Sequence, residues 1–234
     1  MTEDGRGTEH ANQERELKLV PADDALLDRL ANVEQLGPFR AKSRGHEAQH
    51  NAFFDSAARS LEQAKIGFRR RTIEGQSLAR WTIKGDAERL GGVSTRDEIE
   101  ISLAADTPPA LAISTLHEAA AQRGAGALAE ALADALRIGG PPLAEPFLET
   151  ATDRRTVDLV DGDREVELAL DRMRIIGHDY AETEIEAELK HGDAAALDEV
   201  RGAIEAIGDV RESEGSKLSR AVEHVRDCDC RRQR

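Results

Sequence analysis

Glu14, Glu16 and Lys18 recur at every second position of one short stretch, Glu14-Arg15-Glu16-Leu17-Lys18-Leu19-Val20. In an extended chain successive side chains point to opposite faces. Two carboxylates and an ammonium therefore share one face, and Leu17 and Leu19 share the other. The same habit returns along the chain. Arg69 and Arg71 alternate in one segment; in the next, Arg80, Thr82 and Lys84 oppose Ala79, Trp81 and Ile83. Arg96, Glu98 and Glu100 oppose Ile99, Ile101 and Leu103. Farther on, Arg154, Thr156 and Asp158 oppose Arg155, Val157 and Leu159, while Glu165, Glu167, Ala169 and Asp171 alternate with Val166, Leu168 and Leu170. Last come Glu182, Glu184, Glu186 and Glu188, set against Ile185, Ala187 and Leu189.

Two arrangements satisfy this period. With charged faces outward, the strands enclose an apolar sandwich and the charges serve solubility. With apolar faces outward under helices, the charged faces line an interior. That interior holds Lys18, Arg69, Arg71, Arg80, Lys84, Arg96 and Arg154 together with Glu14, Glu16, Glu98, Glu100, Glu167, Glu184 and Glu186. It must be wet, because an unpaired charge stripped of water costs several kcal/mol. Guanidinium and ammonium groups match phosphoryl oxygens, and clustered carboxylates match a hard divalent cation such as Mg2+ or Mn2+. A polyphosphate with its metal satisfies both sets at once. The period alone fits either arrangement.

The elements that must position these residues follow from the rest of the chain. At 234 residues, 39% hydrophobic and 33% charged, it is long enough for a substantial core. Its net charge of -14 argues against nonspecific binding to nucleic acid or anionic membranes. No apolar run reaches the length of a membrane span, no signal peptide opens the chain, and Cys228 and Cys230 are its only cysteines. A cytoplasmic location is expected. Residues 1–12 read as a disordered leader and 226–234 as a disordered tail. Pro21 reads as a helix start with Asp23 and Asp24 in its first turn, and Gly37-Pro38 as its stop. Arg40 to His46 reads as a basic connection to a strand at His50 to Asp55. Glu74-Gly75-Gln76 and Asp161-Gly162-Asp163 read as hairpin turns. The Ala-rich stretch 104–145 reads as a helical insertion, one helix starting near Ser114 and another spanning Gly126 to Ile138. A helix over Asp193 to Ile207 follows, and Ser216-Lys217 opens a last amphipathic segment. His50 and His117 read as structural or surface residues. About eight antiparallel strands with short turns suggest an α+β protein: an eight-stranded antiparallel β-barrel, or tunnel, with helices packed outside.

The order of motifs resembles that of the CYTH superfamily, the triphosphate tunnel metalloenzymes. Glu14-x-Glu16-x-Lys18 is similar to its opening signature, and Phe53-Phe54-Asp55-Ser56 to its aromatic-aromatic-Asp-Thr segment. Phe68-Arg69-Arg70-Arg71, Trp81-Thr82-Ile83-Lys84-Gly85 and Arg96-x-Glu98-x-Glu100 resemble its next strands. Arg154, the strand from Glu167 to Asp171, Glu184 to Leu189 and Ser216-Lys217 complete the series. The resemblance covers roughly residues 13–225, read as one tunnel domain. It implies a barrel that binds a triphosphate end-on with Mg2+ or Mn2+, and hydrolysis of inorganic or thiamine triphosphate or cyclisation of ATP. It implies that Glu14, Glu16 and Lys18 are catalytic. Glu14, Glu16, Glu167, Glu184 and Glu186 would hold metal, and Lys18, Arg69, Arg71, Lys84, Arg96 and Arg154 would clamp the phosphates. Glu98 and Glu100 would orient those cations or join the metal shell, and Lys217 would approach the phosphate end. Departures concern substrate choice: Gln13 stands where many members have His, Phe53-Phe54 where Tyr is frequent, Thr152 where a relative has Arg, and Met173 where Gly is frequent.

Overall fold

The alternating stretches form long strands, and the breaks between them form turns and helices. The first half of the chain runs β1 (Gln13–Pro21), α1 (Ala25–Ala31), β2 (Gln35–Leu36), β3 (Phe39–Phe53), α2 (Ser60–Gln63), β4 (Gly67–Ile73), β5 (Leu78–Lys84), β6 (Glu88–Leu90) and β7 (Val93–Ala104). The second half runs α3 (Pro109–Gln122), α4 (Gly126–Gly139), β8 (Leu148–Asp161), β9 (Arg164–Ile175), β10 (Ala181–His191), α5 (Ala195–Glu205), β11 (Val210–Glu212) and α6 (Lys217–Arg232). This computed structural model describes residues 13–90 and 92–232; the expected leader, residues 1–12, lies outside them.

Among the described residues, eight strands close an antiparallel barrel in the order β1-β10-β9-β8-β3-β4-β5-β7, with β7 returning to β1. The seam pairs Glu14 with Arg96 and Glu16 with Ser94. On its other edge β1 pairs Lys18 with Glu186. The register continues from Glu184 to Asp171 on β9 and from Asp171 to Arg154 on β8. The short strands β2, β6 and β11 are additions to this barrel.

The apolar faces turn outward and are covered by helices. Leu17, Leu19, Leu168, Leu170 and Ile185 pack under α1 and α5, against Leu26, Leu27, Leu30, Leu197 and Val200. On the other side Phe68, Trp81, Ile83 and Ile99 pack under α2, α3 and α4, against Leu61, Leu116 and Leu132. The Trp81 ring stacks with Phe54 and Phe68 at centroid distances of 5.6 and 5.4 Å. At one end of the barrel Phe53, Leu148, Met173 and Ile175 meet Leu218, Ala221, Val222 and Val225 of α6. That helix lies across the mouth, and Arg226 bonds Glu62 at 2.8 Å.

Several local expectations are corrected. Pro21 ends β1 rather than starting a helix, because Pro21, Val20 and Leu19 pair with Val210, Arg211 and Glu212 of a strand far along the chain. The helix begins at Ala25, whose N–H is accepted by the Asp23 carboxylate at 2.9 Å. The basic segment 40–46 is part of β3, held extended by its pairing with β8 from Arg40↔Val160 to Phe53↔Leu148. That strand stops at Phe53. Asp55 then accepts the N–H groups of Ser56, Leu61 and Glu62 at 2.7, 3.0 and 2.9 Å and fixes the turn into α2. α3 starts at Pro109, not near Ser114; proline suits the first helical position, where no N–H is needed. The expected disordered tail is helical to Arg232, as α6 continues through Cys228 and Cys230.

Candidate active site

A cavity of about 1110 Å³ occupies the barrel interior and is lined by the charged strand faces. The inward arrangement is therefore the one adopted. β1 supplies Glu14 and Lys18 to the lining, with Glu16 buried between them. Glu14 accepts bonds from Lys84 at 2.9 Å and Arg96 at 2.7 Å. Glu16, 2% exposed, is bonded by Arg96 at 2.6 Å and lies 2.7 Å from Lys18. Lys18 reaches on to Glu186 at 3.6 Å. Burial acts to raise the Glu14 carboxyl, but Lys84 and Arg96 hold it well below the usual carboxylate range.

From Glu186 the network passes to β8 and β9. Arg154 donates to both oxygens of Asp171, at 2.7 and 2.6 Å, and to Glu186 at 2.6 Å. Lys217, the first residue of α6, is 2.7 Å from Asp171, 2.6 Å from Glu184 and 2.8 Å from Glu186. Glu184 also accepts from Ser213 and Arg220, each at 2.7 Å. Lys84, bonded to Glu14, is 2.7 Å from Glu98 as well. Acids and bases thus form one chain of contacts from Lys84 to Glu184.

Arg69 and Arg71 stand differently. Arg71 is buried and donates to the neutral Asn51 side chain at 2.8 Å. Burial, with Arg69 and Arg154 nearby, depresses its pKa well below that of a free guanidinium. Arg69 donates to Thr82 at 3.2 Å, and its nearest carboxylate, Glu100, is 4.0 Å away. These guanidiniums face the cavity without a close ion pair.

Every residue singled out as a phosphate clamp, namely Lys18, Arg69, Arg71, Lys84, Arg96 and Arg154, lines the cavity. Glu14, Glu16, Glu184 and Glu186 are joined through Lys18, Arg96 and Lys217. Glu167 stands apart, four residues and about 13 Å along β9 from Asp171, with Lys190 at 3.5 Å. Asp171 is the β9 carboxylate that meets Arg154 and Lys217. Its signal was in the sequence, two positions after Ala169 on the charged face. Asn51 gave no such signal, since a neutral amide in a strand is unremarkable until Arg71 is seen beside it.

Glu188 is a further cavity carboxyl. Burial pushes it up to about 7, although Lys190 lies 2.7 Å away and acts to lower it. The folded state therefore keeps this proton above the range where the unfolded chain, near 4.5, releases it. Stability from this group is present at low pH and is lost as pH rises from about 4.5 to 7. Glu188→Gln is expected to gain in melting temperature over the wild type across that window and to hold a constant advantage above it. A difference that does not change between pH 5 and 8 contradicts this.

The carboxylates on β1, β9 and β10 are hard oxygen donors of the type Mg2+ or Mn2+ takes. Lysine and arginine nitrogens fill the spaces between them, and among the described residues no three acidic, histidine or cysteine side chains are arranged to hold a metal as they stand. The donor chemistry fits a divalent ion that replaces some of these contacts. No helix among the described residues is long and apolar enough to cross a membrane.

The fold is shared with solved structures. HpAC1 from Hippeastrum, named as an adenylyl cyclase and described as having a dominant triphosphatase activity, is 23% identical with a TM-score of 0.59, over 88% of this chain and 93% of that one. PH1819 from Pyrococcus horikoshii is 18% identical with a TM-score of 0.55, over 90% and 99%. A candidate adenylate cyclase from Bacillus halodurans is 18% identical with a TM-score of 0.52, over 89% and 98%. No curated protein matches the chain. The CYTH domain family model matches residues 12–222, and with the closed tunnel and its charged lining this places the chain in the CYTH family.

Proposed function

We propose that this protein is a metal-dependent triphosphatase that hydrolyses inorganic triphosphate, or a related organic triphosphate, inside the tunnel. The observation that carries this reading is the pair Arg69 and Arg71. A buried guanidinium without a close carboxylate needs an anion, and a phosphoryl group accepts its paired N–H donors in the same plane. The activity described for the Hippeastrum protein is in keeping with it.

In this reading Arg69, Arg71 and Arg154 hold the inner phosphate oxygens, and Lys18, Lys84 and Arg96 hold the remainder. Glu14, Glu16 and Glu186 hold Mg2+ or Mn2+. The bound ion neutralises phosphoryl oxygens. Water attacks the terminal phosphorus, and the surrounding lysines and arginines stabilise charge on the transferred group and on the departing diphosphate. Glu98 keeps Lys84 oriented by their 2.7 Å contact.

The deciding experiment measures phosphate release from inorganic triphosphate, thiamine triphosphate, ATP and long-chain polyphosphate, each with Mg2+ and with Mn2+. Release from at least one triphosphate, absent without metal, is expected. Cyclic AMP and diphosphate from ATP would identify a cyclase instead, and tight binding without turnover a binding module. Arg71→Lys keeps the charge and loses the planar fork. It is expected to raise KM for the triphosphate about tenfold with a smaller change in kcat. An unchanged KM contradicts the assignment of Arg71.

A further inference from the structure

Outside the tunnel lining, α6 brings nitrogen and sulfur donors to the barrel end. His224 and Cys228 are four residues apart on that helix, so their side chains share one face. Cys228 Sγ lies 3.4 Å from His224 Nε2. His178, on the turn between β9 and β10, sets its ring edge-on to that of His224 at a centroid distance of 6.4 Å. All three are half-buried, and none lines the tunnel cavity. Tyr180 packs its ring on His224 at a centroid distance of 4.6 Å, while its hydroxyl donates to Glu182 at 2.6 Å. The turn that carries His178 is held by the Ile175 N–H, which donates to the Tyr180 carbonyl at 3.1 Å.

We propose that His178, His224 and Cys228 form a site for a thiophilic divalent ion, with Zn2+ the one their ligand set fits. The chemistry differs from that of the tunnel carboxylates, which offer hard oxygens only. A tetrahedral ion with Zn–S of about 2.3 Å and Zn–N of about 2.0 Å holds those two ligand atoms about 3.5 Å apart. The Cys228–His224 separation of 3.4 Å matches that edge. Two imidazoles on such an ion have centroids about 5 Å apart, so His178 has to swing in by about 1.4 Å from its 6.4 Å position. As they stand only the α6 pair is set, and no three such side chains among the described residues are already arranged around one point. The ion takes the place of the thiol proton, which leaves to solvent, and water fills the fourth position. Bound there, it ties the β9–β10 turn to the helix whose Lys217 and Arg220 contact Glu184.

The test reads the thiolate and is independent of the tunnel's reaction. Co2+ serves as the optical probe for Zn2+, with Mg2+ in excess to occupy the oxygen donors of the tunnel. The wild type is expected to bind one Co2+ with thiolate-to-metal charge-transfer absorption and tetrahedral d–d bands, both lost on addition of Zn2+. Cys230→Ser is expected to keep the signal, because two residues along a helix carry a side chain to roughly the opposite face. Cys228→Ser and His224→Gln are expected to abolish it. His178→Ala is expected to weaken Co2+ binding about tenfold or more, since even the outer partners of a metal ligand are worth that much. In the unaltered protein Zn2+ is expected to slow alkylation of Cys228 and not that of Cys230, as read by tandem mass spectrometry. No charge-transfer signal in the wild type, a signal that survives Cys228→Ser, or binding unchanged in His178→Ala overturns the proposal. Alkylation of Cys228 at the same rate with and without Zn2+ overturns it as well.

Discussion

Glu16→Ala is expected to lower kcat for triphosphate hydrolysis by about two to three orders of magnitude at ordinary Mg2+. The residue is almost wholly buried and takes Arg96 and Lys18 at 2.6 and 2.7 Å. Its removal takes away one hard oxygen donor and releases two cations that it had held in register. Arg96 keeps its second partner, Glu14, so the seam between β1 and β7 survives. The loss should therefore appear in turnover far more than in melting temperature, and raised Mn2+ should restore part of it. Full activity at ordinary Mg2+ would eliminate Glu16 from the metal site.

Arg154→Met is expected to produce the largest loss of stability, about 3–5 kcal/mol. Arg154 holds both oxygens of Asp171, which is fully enclosed, and one oxygen of Glu186. Burial acts to raise the Asp171 carboxyl, but Arg154 and Lys217 hold it below the usual value. Without the guanidinium, the buried Asp171 keeps only Lys217 close by, and that ammonium is also shared with Glu184 and Glu186. At roughly 2–4 °C per kcal/mol for a chain of this size, the melting temperature falls by about 10 °C. Adding Asp171→Asn to Arg154→Met removes the stranded charge and should recover much of the loss. A double variant no more stable than the single one would show that the ion pair is not the source of the effect. The Asp171 share of this stability is present above pH 4 or so and is lost as pH falls through the carboxylate range.

The alternation of acids and leucines from Glu14 to Leu19 was enough to foresee a strand with one buried apolar side, and its repetition foresaw the barrel. Side-chain period fixes which residues share a face, but it leaves the direction of the face open. Leu17 and Ile185 under α1 and α5, with Lys18 and Glu186 inside, settle that direction through packing between elements distant in sequence. The same distance explains the errors. Pro21 carries the local marks of a helix start, and only its pairing with Val210 makes it strand. Arg40 to His46 has the composition of a connection, and its partner β8 lies more than a hundred positions on. Which charged residues share a face was legible in the period; that Asn51 lies beside Arg71 and Asp171 beside Lys217 required register. The tail was misjudged for a related reason. Its cysteines and arginines offer no core signal, yet Leu218, Ala221, Val222 and Val225, one helical face upstream, anchor the whole segment.

The double pairing of β1, with β7 on one edge and β10 on the other, has a consequence for biogenesis. The first stave of the cask is translated before both neighbours that lock it, β7 and then β10. Contacts so remote in sequence make sealing a late and slow folding event. A ribosome-bound fragment ending before Glu186 therefore carries Glu14, Glu16 and Lys18 without the wall that faces them. The two faces of the tunnel therefore meet only after β10 has been made and paired with β1.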